Sequence, residues 1–305
     1  MKKVFILLLF INLILPVEKK MFEIKEKTDN KLVISFKLEE YEIEQNGDYS
    51  TIKVANSGTR SLVGEPLLPS FSSFVKLDKY TSYDIDYNVI SQEQITNINI
   101  MPLQSFKINS NSDFIKNKDI YSSNNVYPEK NLYVSDRQAM RGIEFINLEI
   151  NPFIYSPNDQ KIVVHQEIEI TIKQNNIPNQ PISQDFPKSK VFERIIDALV
   201  INNISDNEVR NDEYQKPAIL YICGGSTETN SYFKQLVKWR KKQGYIVYTT
   251  NTSGSGTGGS TTTAIKNYIQ NAMNWEIPPE FVTFVGDDGG SYNIDTYREY
   301  DSGYN

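Results

Sequence analysis

Between Met21 and about Ile172 the apolar residues return at every second position, and no other property of the chain restricts its fold so strongly. Tyr83, Ile85, Tyr87 and Val89 alternate with Asp84, Asp86 and Asn88, and Ile168, Ile170 and Ile172 with Glu167, Glu169 and Thr171. A period of two gives a strand one apolar and one polar face. Residues 31–36, 50–54, 74–77, 143–150 and 162–172 fit the same template. Asn46-Gly47-Asp48 and Ser156-Pro157-Asn158-Asp159 supply turns between runs. No helical period interrupts the region, which predicts an antiparallel β-sandwich over residues 21–175.

Composition shifts over residues 176–216 to Asn, Pro, Gln, Ser and Asp, as in an interdomain linker. Within it, residues 191–199 are amphipathic enough for a short helix. Residues 205–213 are charged and offer an accessible backbone to a protease. After Pro217 the period changes. Ala218 to Cys223 is a continuous apolar run followed by Gly224-Gly225, as expected of a strand buried on both faces of a parallel sheet. Phe233, Leu236, Val237 and Arg240 recur at helical spacing, with N-cap candidates at 226–229, cations at 238–242 and Gly244 at the C-terminal end. A strand at 245–249, a helix carrying Ala264, Ile265, Tyr268, Ile269, Ala272 and Met273 on one stripe, and a strand at 281–285 complete a βαβαβ unit. The expected fold is therefore multi-domain, with an incomplete α/β domain over residues 217–305 following the sandwich.

Residues 1–20 read as a secretory signal peptide. Lys2 and Lys3 precede an apolar run that ends at Pro16, short of the roughly 20 residues that a membrane-spanning helix needs; a retained anchor is the alternative. The chain carries 32 basic and 38 acidic residues, for a net charge of −6, which gives nucleic acid no basic footprint. One cysteine and one histidine exclude an intrachain disulfide framework and a Cys- or His-rich metal cage.

Three groups of residues are candidates for chemistry. Gly254-Ser255-Gly256-Thr257-Gly258-Gly259 satisfies the spacing G-x-G-x-x-G, but it follows the second strand rather than the first and reads as a flexible connector. His165 and Cys223 are the two halves of a thiolate–imidazole device. However, His165 falls on the polar face of a sandwich strand and Cys223 ends a buried strand in the other domain, where cysteine is usually inert. Asp287 and Asp288, in Gly286-Asp287-Asp288-Gly289-Gly290, leave the third strand at the carboxyl edge of the sheet, where open α/β folds place their sites. They are the metal candidates: they would bind a structural calcium, orient a catalytic group, or simply make a turn.

Several segments together resemble the gingipain family of cysteine peptidases. Gly64-Glu65-Pro66-Leu67-Leu68-Pro69, Tyr127-Pro128, Arg141-Gly142 and Asn151-Pro152-Phe153-Ile154-Tyr155-Ser156-Pro157 are similar to that family's propeptide. Leu220-Tyr221-Ile222, the stretch from Leu236 to Tyr245, Thr263 to Ile269, and Phe284-Val285-Gly286-Asp287 are similar to the start of its caspase-like peptidase domain. The resemblance implies a secreted or surface-located bacterial zymogen acting on protein or peptide substrates, needing no cofactor, with its prodomain packed on its own peptidase domain. It further implies a catalytic His and Cys on later strands, past residue 305, so that no catalytic residue is carried onto this chain. An N-terminal fragment, inactive alone, is the expectation. Cleavage would fall within 205–213, with Arg210 before the cut. The competing readings are a non-catalytic surface or adhesion protein on the same scaffold, and a nucleotide-binding α/β protein.

Overall fold

The structure is a computed structural model that describes residues 21–105, 114–178, 186–203, 214–253 and 259–297. The chain divides into two compact units, Met1–Ala139 with Ile143–Ile182, and Met140–Gly142 with Ser183–Asn305. The expected signal peptide, Arg210 and most of the glycine-rich loop lie outside the described residues.

The first unit is built from antiparallel strands: β1 (Phe22–Lys27), β2 (Lys31–Lys37), β3 (Tyr41–Asn46), β4 (Tyr49–Val54), β5 (Gly58–Thr59), β6 (Pro69–Leu77), β7 (Thr81–Thr96), β8 (Leu132–Val134), β9 (Gln138–Met140), β10 (Ile143–Ile150), β11 (Phe153–Ser156) and β12 (Lys161–Pro178). A single helical turn, α1 (Lys118–Tyr121), interrupts them. One sheet runs β1-β2-β12-β11 with β7 on the other side of β12; the second runs β5-β6-β10-β8 with β9 on β10. Phe36 on β2 meets Phe71 on β6, ring centroids 5.4 Å apart, so the inner faces of the two sheets share a core. The β-sandwich expected from the alternation is present. Ile168, Ile170 and Ile172 are buried, and the turn after Asn46 closes a two-residue hairpin in which Asn46 pairs with Tyr49 and Gly47 takes φ 61°.

On β10 the inward parity belongs to Ile146, Leu148 and Ile150, and it also contains Glu144, which is completely buried. A carboxylate can occupy an apolar position only when a charge and hydrogen bonds replace its water. Arg137 supplies them. Its guanidinium donates to Glu144 at 2.8 Å and to the carbonyls of Asp78 at 2.9 Å and Thr81 at 2.5 Å, holding the β6–β7 turn against β10.

The second unit contains α2 (Lys190–Leu199), β13 (Ala218–Cys223), α3 (Ser231–Lys242), β14 (Ile246–Asn251), α4 (Thr262–Ala272) and β15 (Phe281–Val285). Both neighbours of β13 are parallel to it, in the order β14-β13-β15. All six residues of β13 are buried because each parity meets a helix: Ile219, Tyr221 and Cys223 pack with Phe233 of α3, and Leu220 and Ile222 with Ile265 and Ala272 of α4. The N-cap of α3 is Asn230 rather than a residue of 226–229, whose middle forms a 3₁₀ turn at Thr227–Thr229; the Asn230 side chain accepts from the Tyr232 N–H at 2.9 Å. Residues expected as linker contribute α2, and Phe192 on it stacks on Phe281 of β15 at 5.6 Å.

The carboxyl edge of this sheet is closed by the chain itself. After β15, residues 286–294 fold back so that Asp287 N–H donates to the Tyr292 carbonyl at 3.0 Å and Ile294 N–H to the Asp287 carbonyl at 2.9 Å. This return lies directly on the glycines that follow β13. A Cβ on Gly224 would stand 2.0 Å from the Tyr292 carbonyl oxygen, and one on Gly225, which has φ +54°, 2.0 Å from that of Ser291.

Two stability predictions follow from these contacts. Arg137→Ala removes the guanidinium that Glu144 faces and is expected to cost about 3–5 kcal/mol in urea unfolding followed by far-UV circular dichroism. Replacing Arg137 by Met and Glu144 by Leu together should recover the part due to the unpaired Glu144 charge and not the part due to the bonds to the Asp78 and Thr81 carbonyls. In the second unit, Gly225→Ala combines left-handed backbone with a backbone clash and is expected to cost about 3 kcal/mol or more, against about 1–2 for Gly244→Ala, where φ is +92° and nothing lies within 4 Å. Both tryptophans, Trp239 and Trp275, belong to the second unit, so their fluorescence reads this comparison selectively.

Candidate functional site

In the second unit the strand exits converge where an open parallel sheet binds ligands. Cys223 ends β13 fully buried, and burial pushes its thiol up to about 11, with Glu228 adding to the shift and the Thr227 hydroxyl opposing it. At neutral pH the sulfur is a protonated thiol inside the core, so it lacks the thiolate character that a nucleophile needs. The Thr227 hydroxyl also faces the backbone, its one proton shared between the carbonyls of Gly224 at 2.8 Å and Val285 at 3.0 Å. Glu228 accepts from Thr249 at 2.9 Å and from Asn251 Nδ2 at 3.0 Å, joining the first strand exit to the second. Thr252 donates to the Asn293 carbonyl at 3.0 Å, tying the second exit to the return loop. Main-chain atoms therefore occupy the crevice between β13 and β15.

Asp287 and Asp288 stand where the sequence puts them, exposed at the exit of β15. Asp287 closes the return loop through its backbone, and its carboxylate accepts from the Asp288 N–H at 2.8 Å. Among the described residues no group of three or more His, Cys, Asp or Glu side chains is arranged to hold a cation. Beside these carboxylates a cleft of about 600 Å³ runs along β15 and α4. Ile265, Ile269, Phe284 and Ile294 wall it, and Asp287, Asp288 and Asp295 also line it. No thiol or imidazole lines it. Phe284 is half exposed, and the far edge of β15 pairs with no strand among the described residues.

His165 departs from expectation. The alternation puts it on a polar face, but it is buried in the first unit, 8% exposed. The β12–β7 ladder shifts register between His165 and Glu167 and again between Glu167 and Ile168, which breaks the alternation at that point. Its Nδ1 is hydrogen-bonded to Asn131 Nδ2, and burial holds its pKa below the ordinary 6.5. His165 is thus enclosed in the core of the first unit and Cys223 in that of the second. Of the glycine-rich loop only Gly259 is described, at φ +68°. Among the described residues no helix is long and apolar enough to cross a membrane.

Comparison with known proteins separates the chain along similar lines. The family model Propeptide_C25 matches residues 18–202, and that of Peptidase family C25 matches residues 212–302. No curated protein matches. Among solved structures, the complex of Porphyromonas gingivalis RgpB pro- and mature domains is similar over 60% of this chain and 98% of that one, at 15% identity and a TM-score of 0.50. A structure addressing zymogenic latency of gingipain K from Porphyromonas gingivalis is similar over 53% of this chain and 96% of that one, at 17% identity and a TM-score of 0.44. The propeptide match alone spans well over half of the 305 residues, and with the peptidase match following it in order, the chain belongs to the gingipain (C25) family of cysteine peptidases, of which it carries the propeptide and the start of the peptidase domain.

Proposed function

We propose that this chain is the N-terminal portion of a secreted cysteine endopeptidase zymogen. Residues 1–20 act as the export signal, residues 21–175 as the propeptide that keeps the enzyme latent, residues 176–216 as the processing region with Arg210 before the cut, and residues 217–305 as the opening of the peptidase domain. The observation that carries this reading is the order of the two family matches, the propeptide first and the peptidase second. The burial of Cys223 supports assigning the nucleophile elsewhere, because a desolvated, protonated thiol attacks a carbonyl poorly. The reactive thiolate and its histidine are then residues of the parent sequence beyond 305, and protein or peptide bonds are the substrate. The propeptide packs on its own peptidase domain and leaves by cleavage.

N-terminal sequencing of the secreted full-length protein is expected to place the mature start between Pro181 and Ala218; a start outside that interval overturns the processing assignment. Cys223→Ala in the full-length protein should leave peptide hydrolysis intact, and the 305-residue chain alone should hydrolyse nothing. A folded Cys223→Ala protein without activity would return the nucleophile to β13, while a full-length protein that is inactive in every form favours the non-catalytic surface protein.

A further inference from the structure

The first unit encloses a titratable group that the peptidase reading does not use. Asn131 stands just before β8, in one sheet, and His165 lies on β12, in the other. The neighbours of Asn131 fix its amide. The Asn151 carbonyl can only accept, so the atom 3.0 Å from it is the NH₂ nitrogen. The same nitrogen reaches His165 Nδ1, which must therefore be an acceptor, leaving the ring neutral with its proton on Nε2. Backbone bonds complete the junction. Asn151 N–H donates to the Asn131 carbonyl at 2.7 Å, and His165 N–H to the Pro152 carbonyl at 2.8 Å. Asn151 and Pro152 are the two residues by which the chain passes from β10 to β11, that is, from one sheet to the other.

We propose that the Asn131–His165 junction is a pH-sensitive latch between the two sheets, closed while the imidazole is neutral and opened by its protonation. An imidazolium carries hydrogen on both ring nitrogens, so Nδ1 would face the Asn131 NH₂ donor to donor. Turning the amide to offer Oδ1 would set that oxygen against the Asn151 carbonyl, acceptor to acceptor. Neither orientation satisfies all three groups, and a buried polar group left without a partner is costly. Burial acts in the same direction by disfavouring the charged ring.

Several charges on the surrounding elements are engaged or face solvent, while Glu39, next to the Leu38 that bonds to the Gln166 carbonyl, is half-buried. Glu167, farther along β12, accepts from Ser35 at 3.1 Å and lies 3.6 Å from Lys37. On β7, Gln92 is paired opposite His165, and the neighbouring Glu93 accepts the Tyr41 hydroxyl at 2.7 Å. Glu129 and Lys130, preceding Asn131, are exposed.

The direction of the pH effect follows from which state binds the proton. Above the ordinary value of 6.5 both folded and unfolded rings are neutral and the junction contributes fully. As the pH falls through 6.5 the unfolded chain takes up a proton that the folded chain refuses, so stability declines until the lowered folded value is reached. The latch belongs to the first unit alone. That acidification would loosen an inhibitory propeptide is a further consequence, and only that consequence rests on the peptidase reading.

His165 is the only histidine, so in the untagged 305-residue chain its Cε1–H proton resonance can be followed without ambiguity. In the folded protein it is expected to show no titration around pH 6.5; an ordinary titration there with the fold retained overturns the latch. Urea unfolding followed by far-UV circular dichroism supplies the second reading. Between about pH 7.5 and about pH 5.5 the folding equilibrium constant should fall up to about tenfold more in the wild type than in His165→Asn, whose amide oxygen can replace the Nδ1 acceptor without titrating. Equal pH dependence in the two proteins overturns the proposal. If His165→Asn does not fold, the wild-type titration alone decides.

Discussion

Burial of both faces of one strand is the constraint from which the second unit follows. β13 carries no charged side chain, so it can lie between β14 and β15 with α3 on one side and α4 on the other. A parallel arrangement requires such crossovers, and the helices that make them cover the faces that the strands leave apolar. Every later feature inherits this geometry, including the convergence of three strand ends at one edge. The return of residues 286–294 over Gly224 and Gly225 then fills the place where an open sheet of this kind would hold a ligand.

In the first unit alternation decides burial along strands such as β12, while β2 buries both parities from Leu32 to Phe36, and two enclosed polar side chains are the unit's most specific features. Glu144 takes an inward position on β10 and is accommodated because Arg137 brings both charge and hydrogen bonds into the same volume. His165 is enclosed where the ladder of β12 slips, and it is held by an asparagine from the opposite sheet. Both are polar groups in an apolar setting, and each joins segments that the hydrophobic pattern by itself leaves unjoined. Tyr121 fills a similar role near α1, its hydroxyl donating to the buried Ile100 carbonyl at 2.6 Å.

The C25 family matches place the sandwich in the propeptide and the α/β sheet in the start of the peptidase domain. A sandwich stabilised by internal polar junctions needs no reactive group. Among the described residues the α/β unit offers a sheet with one edge of β15 unpaired and Phe284 half exposed beside an apolar cleft. Edges of that kind are ordinarily covered by further structure. Cys223, the one thiol, is buried in the packing of β13 against α3.

How far the sequence could be read depended on whether a residue's environment is local. The alternation through β7 and β12, the hairpin turn at Gly47, the limits of β13 and β15 and the glycine after α3 are all set by neighbours within a few positions, and each was legible. The position of Asp287 and Asp288 at a strand exit was legible for the same reason. Three things depended on partners distant in sequence: the burial of His165, which needs a slip against β7 and an asparagine 34 residues away; the hold of Arg137 on the carbonyls of Asp78 and Thr81, 59 and 56 residues earlier; and the contact of the 286–294 return with glycines some sixty residues earlier. Periodicity records which way a side chain points, and that the amino-acid order determined. What a polar group meets once it points inward is settled only when sheets and loops close on one another, and that the tertiary structure alone decided.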